Sequence, residues 1–445
     1  MALSTQPYKG ARDFYPEDKR LQKYMFGKLR EVCERFGYEE YDAPILESLE
    51  LYLAKTGEEI VNEQTYTFED RGGRKVVIRP EMTPTVSRMV AARRQELAYP
   101  LRWYSIPNLW RYERPQKGRL REHWQLNVDI FGVQGVEAEH EVILLADQIF
   151  KAFGAHRDMY SIRLNSRKLM DYILGTYFSF DAVQQLSIAK LIDRMHKIDR
   201  ADFLAQLDAL CGPSQREAGA PERLEKILAA RDFTELPSDI QAIPPVQELQ
   251  RMLELLDASG VTNVEFDITI MRGFDYYTDI VFEVVDTDPE NNRSMMGGGR
   301  YDGLVGLFGV EPVPTVGFGF GDVTLAEFLK GHNLLPELRP ETELYVVLAG
   351  EVATKAQKAL ADLRGMDLNV AVDFSGRKLG DQIRAADKKG IEYVLVIGEN
   401  ELQDGQFTLK NLRTGTEEKH GLERVVTIVK DRRRGHAAAE ENDRL

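Results

Sequence analysis

Cysteine is almost absent from this chain of 445 residues, which has only two, Cys33 and Cys211. The two are far apart and have no metal-ligand spacing, so the sequence predicts neither a disulfide framework nor a zinc site, and a reduced, cytoplasmic setting is expected. No run of about 18 apolar residues occurs, so no membrane-spanning helix is predicted. The first residues include no apolar segment of the secretory kind.

Basic residues are fewer than acidic ones: the chain has 58 Lys and Arg and 72 Asp and Glu, which give a net charge of −14. This balance argues against a protein that coats nucleic acid, but a site-specific nucleic-acid partner depends only on a local basic surface. Neither a P-loop nor the dinucleotide-binding glycine fingerprint is present. The composition is 43% hydrophobic and 29% charged, as in globular proteins, and the length allows two or three domains.

One local basic surface does exist, in the stretch WRYERPQKGRLREHWQLNVDIFG, residues 110–132. Apolar and polar residues alternate before and after its middle, as in strands with one buried face. Pro115 and Gly118 interrupt the alternation, so we predict a long antiparallel hairpin with a basic tip. The tip has one acid, Glu113, and five basic residues: Arg111, Arg114, Lys117, Arg119 and Arg121.

One face of this hairpin carries Arg111, Gln125 and Asp129, and we predict that these side chains point into a shared cavity. A guanidinium next to amide and carboxylate groups suits a small zwitterion bound beside a phosphate. The alternative is an ordinary amphipathic hairpin whose basic loop is merely solvated. Polar residues at other predicted strand ends favour the cavity.

The segment RPEMT, residues 79–83, lies between a short predicted strand and a predicted helix. Thr83 followed by proline is typical of an N-cap and first helical position, for a helix that reaches about Leu97. Thr83 by itself indicates only the start of a helix. Glu81 has less structural reason to be there, and the ends of strands are where functional sites often form.

The segment MRGFDYY, residues 271–277, follows a later predicted strand and combines a cation, an acid and two phenols. Tyr276 and Tyr277, taken singly, indicate packing, because tyrosines on strands are common in cores. Arg272 is different, since a guanidinium at the end of an apolar strand requires a partner. This segment is therefore a second candidate contribution to a site.

Glycine is concentrated between residues 297 and 321. A run of three glycines precedes Arg300, and a later strand alternates glycine with Val316, Phe318 and Phe320. A strand face without side chains lets a flat ligand or another backbone approach closely. Asp322 is then predicted to cap a helix. The bare face consists of Gly317, Gly319 and Gly321.

Strand and helix patterns divide the chain into a sheet domain over residues 1–335 and a compact α/β domain over residues 342–434. An all-helical insertion at about 181–259 interrupts the sheet domain. A linker at 331–342 separates the two domains, and the tail, 435–445, is expected to fray.

Together these segments resemble a class II aminoacyl-tRNA synthetase, and within that class the histidyl-tRNA synthetase family. FGYEEYDAPIL (36–46) is similar to motif 1, RYERPQKGRLREHWQLNVDIFG (111–132) to motif 2 and GFGFGDVTLAEFL (317–329) to motif 3. RPEMT and MRGFDYY resemble the signatures specific to histidine. The resemblance implies an α+β fold: an antiparallel catalytic sheet of six or seven strands with a helical insertion, a C-terminal α/β anticodon-binding domain, and a homodimer.

The resemblance also implies a two-step reaction. L-Histidine and ATP give histidyl-adenylate and pyrophosphate, and the histidyl group then moves to tRNA(His). ATP is a substrate that brings Mg²⁺ with it, and no tightly bound metal is expected. Attack of a carboxylate on the α-phosphorus concentrates negative charge on phosphoryl oxygens, so fixed cations are the expected catalysts. The residues that match are Arg111 and Arg272.

The remaining site roles follow from the resemblance alone. The α-ammonium of histidine is assigned to Glu81, Thr83 and Gln125. Its imidazole is assigned to Asp129 and Tyr277, helped by Tyr276. Arg272 is assigned to the histidine site as well, where it contacts the α-phosphate from the side opposite Arg111. ATP-binding residues are Arg111, Glu113, Arg119, Gly317, Gly319 and Gly321. The tRNA acceptor end is assigned to Arg114, Gln116, Arg119 and Arg121.

This chain departs from the family's pattern at two places. Asp129 stands where the family usually has glutamate, which sets the carboxylate back by one methylene. Motif 3 usually ends in Glu-Arg, but Val323 and Thr324 occupy those positions. The arginine that would clamp ATP is therefore missing, and Arg111, Arg119 and Mg²⁺ are the candidates to hold the nucleotide instead.

Two alternatives follow. The missing arginine favours a non-catalytic paralogue that acts as a regulatory subunit of histidine biosynthesis. The MRGFDYY segment, the basic tip and the C-terminal domain favour the enzyme, because a metabolic sensor needs no tRNA contacts. The second alternative is a class II synthetase for threonine, proline or glycine, whose pocket would not need Glu81, Asp129 and Tyr277.

Overall fold

The computed structural model describes residues 3–53, 64–271, 276–291 and 293–442, with residues 433–442 described by their backbone alone. The chain forms two compact units, and the division after Leu335 lies in the predicted linker. Unit 1 comprises Met1–Asp13 and Tyr24–Leu335, and unit 2 comprises Phe14–Lys23 and Pro336–Leu445.

The strands of unit 1, in chain order, are β1 (Glu39–Glu40), β2 (Leu46–Ser48), β3 (Tyr66–Glu69), β4 (Lys75–Ile78), β5 (Leu101–Ser105), β6 (Asn108–Trp110), β7 (Glu122–Phe131), β8 (Tyr160–Ser166), β9 (Val264–Phe266), β10 (Ile280–Asp286), β11 (Ser294–Arg300) and β12 (Thr315–Gly321). In the described residues they form a nine-stranded sheet in the order β1-β5-β7-β12-β11-β10-β8-β9, with β6 paired to β7, and a three-stranded sheet β2-β4-β3. The six central strands, from β5 to β8 in this order, all pair antiparallel. The predicted antiparallel sheet is confirmed, and β1 and β9 extend it by parallel pairing at its edges.

The helices of unit 1 cover the sheet and form the insertion. In chain order they are α1 (Pro16–Arg35), whose first residues belong to unit 2, α2 (Leu49–Leu53), α3 (Thr83–Ala92), α4 (Glu137–Ala152), α5 (Arg167–Asp171), α6 (Ala182–Asp193), α7 (Arg200–Leu210), α8 (Pro213–Glu217), α9 (Ala220–Leu228), α10 (Ser238–Gln241), α11 (Pro244–Ala258) and α12 (Asp322–Gly331). Every residue of the predicted insertion, 181–259, is described, and its regular elements are helical. No helix among the described residues is both long enough and apolar enough to cross a membrane.

The core of unit 1 lies between α4 and the sheet. The ring of Phe150 stacks on Tyr160 with 4.5 Å between centroids, and it meets Phe320 at 5.3 Å and Phe328 at 5.1 Å. All four side chains are buried. Aromatic side chains of this size contribute much of the free energy of folding through the apolar surface that they remove from water.

The predicted hairpin is confirmed, and its second strand, β7, is buried on both faces, whereas the alternation predicts one buried face. It pairs with β6 antiparallel, and Leu126, Val128 and Ile130 pack into the core on one face. Asn127 and Asp129 on the other face are buried as well. A buried polar face requires partners or an enclosed ligand, and this is the face that meets the glycines of β12.

Two predicted helix caps are wrong. Thr83 is the first residue of α3 instead of its N-cap, and the helix ends at Ala92, before the predicted Leu97. Asp322 is the first residue of α12. Its carboxylate accepts hydrogen bonds from the Trp124 backbone and from Arg12, so contacts distant in sequence replace the local cap.

Unit 2 is an α/β unit with strands β13 (Leu344–Ala349), β14 (Val370–Asp373), β15 (Tyr393–Gly398), β16 (Phe407–Asn411) and β17 (Glu417–His420), and helices α13 (Gln357–Gly365), α14 (Leu379–Lys388), α15 (Glu399–Asp404) and α16 (Leu422–Asn442). The strand order is β14-β13-β15-β16-β17. Separate apolar clusters cover the two faces of this sheet. The predicted α/β class is confirmed, but α15 and β17 were not predicted, and α16 continues past Arg434 into the tail.

Candidate active site

A cavity in unit 1 lies over the polar face of β7, next to β11, β12 and the start of α3. It brings together residues from five separate stretches of the chain. The structure thus places Arg111, Gln125 and Asp129 in one cavity, as the hairpin pattern predicts. The full lining is Glu81, Thr83, Arg111, Gln125, Asn127, Asp129, Tyr276, Tyr277, Gly297, Tyr301, Gly317, Phe318 and Gly319.

The register between β7 and β12 explains the bare glycine face. Gly317 lies opposite Asp129, and Gly321 lies opposite Gln125. A Cβ atom on Gly317 would lie 2.3 Å from the Asp129 carboxylate, and one on Gly319 would lie 2.9 Å from the Gln125 amide. The side chains of β7 therefore lie across the glycines, and the space predicted for a flat ligand is shared with them.

Asp129 is one of two buried acids of the cavity, with 4% of its surface exposed. The hydroxyl of Tyr301 donates a hydrogen bond to its Oδ1. Burial disfavours the charged carboxylate and raises the pKa of Asp129 to about 7, although the bond from Tyr301 acts in the opposite direction. The carboxyl group is thus poised to change its charge near neutral pH.

Glu81 is the second buried acid, 3% exposed. Its carboxylate accepts a hydrogen bond from the Tyr276 hydroxyl at 3.3 Å, and its backbone carbonyl accepts one from Tyr52 at 3.2 Å. The ring centroids of Tyr276 and Tyr277 are 4.9 Å apart, and Tyr301 lies 5.6 Å from Tyr276. Three phenols and two carboxylates thus form the walls of one polar pocket.

Arg111 enters the cavity from the base of the hairpin. Its Nε donates to the carbonyl of Pro80, the residue before Glu81, at 2.9 Å. This bond holds the Arg111 guanidinium in the cavity that Glu81 also lines. Arg272, the predicted second cation, lies outside the described residues, as do the three residues that follow it, 273–275. The structure therefore describes one of the two predicted catalytic arginines.

The tip of the hairpin carries the other predicted loop residues. Glu113 and Arg119 form an ion pair at 3.0 Å. Arg114, Gln116 and Arg119 are exposed, so their side chains are accessible to a large partner. None of these residues lines the cavity, and neither does Gly321, which lies at the end of β12.

Arg121 does not suit its predicted contact with tRNA. It is 9% exposed, and it donates to the Glu113 carbonyl and to the Tyr8 hydroxyl, both at 3.1 Å. Its guanidinium also lies 4.0 Å from the centre of the Tyr112 ring. These contacts tie the hairpin to the N-terminal segment, so Arg121 is a structural residue.

Thr324 occupies the position at which motif 3 usually has arginine. Its hydroxyl donates to the carbonyls of Met295 and Gly321, at 3.1 and 3.0 Å. A hydroxyl engaged with two backbone carbonyls contributes no positive charge to a nucleotide site. The first turn of α12 therefore lacks the positive charge that the motif 3 arginine would supply.

Four lining residues were not predicted as site residues: Asn127, Gly297, Tyr301 and Phe318. Asn127 belongs to the polar face of β7 that the alternation identifies. Tyr301 follows β11 in the same alternation as Gly297 and Gly299, which is the signal that could have indicated it. In the part of the chain that the structure describes, no group of three or more His, Cys, Asp or Glu side chains could hold a metal ion.

Comparisons with known proteins show the family of the chain. The sequence model of the family described as histidyl-tRNA synthetase matches residues 10–322, and that of an anticodon binding domain matches residues 343–432. A histidine–tRNA ligase of Leptospira biflexa is 43% identical over 417 residues, which cover 92% of this chain and 94% of the relative. One of Thermoplasma volcanium is 37% identical over 418 residues, with 94% and 96% covered.

The fold agrees as well. A crystal structure of histidyl-tRNA synthetase from Nostoc sp. PCC 7120 superimposes with a TM-score of 0.79 at 24% identity, and covers 97% of this chain and 100% of its own. The resemblance and the fold class predicted from the sequence are confirmed. The chain belongs to the histidyl-tRNA synthetase family.

Proposed function

We propose that the protein is an active histidine–tRNA ligase whose cavity in unit 1 binds L-histidine. In the first step a carboxylate oxygen of histidine attacks the α-phosphorus of ATP, a new P–O bond forms, and pyrophosphate leaves. In the second step a hydroxyl of the terminal tRNA ribose attacks the carbonyl carbon of the adenylate, and AMP leaves. The first step needs charge stabilisation more than proton transfer, because the attacking carboxylate is already ionised. In the second step the attacking hydroxyl also loses its proton, which the departing phosphate of AMP can accept.

The observation that carries this proposal is the convergence of Glu81, Arg111, Asp129 and the tyrosine pair on one cavity. These residues lie far apart in sequence, and they supply an acid for an ammonium group, a cation for a phosphate and a carboxylate with phenols for an imidazole. A site that reads polar groups in this way discriminates strongly against analogues that lack them.

Histidine would lie with its α-ammonium at Glu81, Thr83 and Gln125. Its imidazole would donate an N–H to the Asp129 carboxylate, which Tyr301 holds in place, and would contact Tyr277. A fixed acceptor selects one tautomer of the ring. The side chain of Asp129, shorter than the glutamate expected from the resemblance, accepts a hydrogen bond from the hydroxyl of Tyr301.

The α-phosphate would lie between Arg111 and Arg272. Both guanidinium groups would stabilise the negative charge that develops on its oxygens. Mg²⁺ carried by the outer phosphates would neutralise further charge in this site. Glu113, Arg119 and the glycines of β12 complete the proposed ATP site.

We propose that the tip residues Arg114, Gln116 and Arg119 contact the acceptor end of tRNA(His), and that unit 2 binds the anticodon. Unit 1 would then be the catalytic domain, in a homodimer in the cytoplasm. The regulatory-subunit alternative is not favoured, because the relatives matched over more than 90% of the chain are ligases. A synthetase for another amino acid is not favoured either, because the matching family is specific to histidine.

The test is the histidine-dependent exchange of labelled pyrophosphate into ATP, measured with each amino acid in turn. We expect exchange with histidine alone. Arg111→Ala and Arg272→Ala should each lower the exchange rate by about a hundred- to a thousandfold, while calorimetry still detects histidine binding. Arg93→Ala is the control, because its exposed side chain pairs only locally with Glu96. No exchange with any amino acid would point to the regulatory subunit.

A further inference from the structure

The absence of arginine at position 324 leaves open which group replaces its charge at the outer phosphates of ATP. Thr324 cannot replace this charge, because a hydroxyl is uncharged. Its hydroxyl is also engaged with the carbonyls of Met295 and Gly321. A triphosphate needs fixed cations, and arginine supplies them best in a bidentate geometry. The structure places another guanidinium at the same helix start.

That guanidinium belongs to Arg12, in the N-terminal segment. Its Nη2 lies 2.7 Å from Oδ2 of Asp322, the first residue of α12, two positions before Thr324. The other oxygen of Asp322 accepts a hydrogen bond from the Trp124 backbone at 2.9 Å. The carboxylate is 2% exposed, whereas the side chain of Arg12 is 28% exposed. Asp322 thus orients a cation that a ligand can reach.

The segment that carries Arg12 is fastened to the base of the hairpin. The carbonyl of Gly10 accepts hydrogen bonds from the backbone N–H groups of Arg121 and Glu122, at 2.9 and 3.2 Å. Gly10 has φ +88°, and a Cβ atom there would lie 2.7 Å from Cγ of Arg121. Only glycine suits this close approach, which sets the position of Arg12 two residues later.

Arg12 also belongs to a group of three cations around His123. His123 precedes Gln125 on the cavity face of β7, and the pKa of its imidazole is lowered to about 3 by burial and by the charges of Arg111, Arg12 and Arg119. The ring therefore stays neutral among three guanidinium groups. Two of these, Arg111 and Arg119, are already proposed to bind ATP, so Arg12 adds a third positive charge to the same local field.

We propose that Arg12 is the ATP-binding residue that replaces the missing arginine of motif 3, and that its guanidinium contacts the outer phosphates of ATP. Asp322 acts as its positioning residue. This inference rests on the proposed function and adds to it a residue outside the segments that resemble the family's motifs.

The experiment compares the parent protein with Arg12→Ala in histidine-dependent pyrophosphate exchange. Because a charge-assisted contact to a phosphate is lost, KM for ATP should rise about ten- to a hundredfold, while KM for histidine is unchanged. The affinity for AMP, measured by calorimetry, should also be unchanged, because AMP lacks the outer phosphates. An unchanged KM for ATP overturns the proposal, and so does a parallel loss of affinity for histidine and AMP.

Two further variants separate binding from folding. Arg12→Ala leaves the buried Asp322 carboxylate without this partner, so the double variant Arg12→Ala/Asp322→Asn removes that charge as well. Its KM for ATP should remain high, and a return to the parent value would overturn the proposal. Arg12→Ala/Thr324→Arg returns an arginine to α12 and should lower KM for ATP again.

Arg74→Ala is the matched control, since Arg74 also forms a 2.7 Å ion pair with an aspartate, on the β3–β4 turn. It should keep the parent's kinetic constants. If the parent protein itself shows no histidine-dependent exchange, the proposed function fails. If the parent exchanges and Arg12→Ala keeps its KM for ATP, only the assignment of Arg12 fails.

Discussion

Asp129 illustrates how the surroundings of a single residue set its chemistry. Tyr301 donates a hydrogen bond to its carboxylate, and Gly317 leaves room for that carboxylate beside it. The same enclosure raises the pKa of Asp129 to about 7. A group that is neutral in the folded protein and charged in the unfolded chain links folding to pH.

We predict that Asp129→Asn stabilises unit 1 increasingly as the pH rises from about 4 to about 7. In this window the folded parent binds a proton that the unfolded chain has lost, so its free energy of unfolding falls by up to about 1.4 kcal/mol per pH unit. The asparagine variant has no such loss. Denaturant unfolding followed by tryptophan fluorescence measures this in unit 1, which contains all three tryptophans of the chain, Trp103, Trp110 and Trp124.

The difference between the two unfolding free energies should become constant above pH 7, where Asp129 is charged in both states. A constant difference from pH 4 to pH 9 would show that the pKa of Asp129 is not raised. Above pH 7 histidine-dependent exchange should fall in the variant, because the amide cannot replace the charged acceptor for the imidazole.

At the scale of elements, the pairing of β7 with β12 builds the cavity. The alternation of glycine with Val316 and Phe318 predicted a bare face, and the structure places the Asp129 and Gln125 side chains across it. Glycine is therefore needed on β12 because the side chains of β7 occupy the space where Cβ atoms would lie. Gly317 and Gly319 differ in the atoms that an added methyl group would contact.

We predict that alanine at Gly317 lowers stability, whereas alanine at Gly319 weakens histidine binding. In Gly317→Ala the new Cβ would lie 2.4 Å from the Val128 carbonyl, which cannot move without breaking the sheet, so unit 1 should lose about 3 kcal/mol of stability or more. In Gly319→Ala the Cβ would meet the flexible end of Gln125. This variant should fold normally and raise KM for histidine about tenfold, because Gln125 is displaced.

Thermal unfolding and exchange kinetics on the same preparations measure both effects. Gly303→Ala is the control, since no atom lies within 4 Å of its added Cβ. Equal losses of stability at Gly317 and Gly319 would contradict the proposed difference between backbone and side-chain contacts.

The elements that sequence alone predicts are those with a local period. The hairpin, the helical insertion and the α/β unit all follow from spacing within a few residues. The missed features depend on contacts distant in sequence: Tyr301 bonds Asp129 across 172 positions, and Arg12 bonds Asp322 across 310. Only the folded sheet brings such residues together, so no local pattern could indicate them. Arg121 was misassigned for the same reason, because Tyr8 binds it from the N-terminal segment.

At the scale of the whole molecule, an acidic protein has to bind a polyanion. The net charge of −14 repels tRNA at long range, so under the proposed function binding would depend on the local cations of the hairpin tip and would be sensitive to screening. Under the proposed function, amino-acid activation takes place in the cavity of unit 1 and involves small ligands only. The two activities of the protein should therefore respond differently to salt.

We predict that raising the salt concentration from 50 to 200 mM weakens tRNA charging much more than histidine-dependent exchange. The logarithm of KM for tRNA should rise linearly with the logarithm of salt concentration, because each phosphate contact releases counterions. Arg114→Ala or Arg119→Ala should reduce this slope by about 1, while Arg93→Ala, an exposed arginine outside the tip, keeps the parent slope. Slopes that remain equal in all three variants would mean that tRNA does not contact the tip, and that its cations act only on ATP or on the hairpin itself.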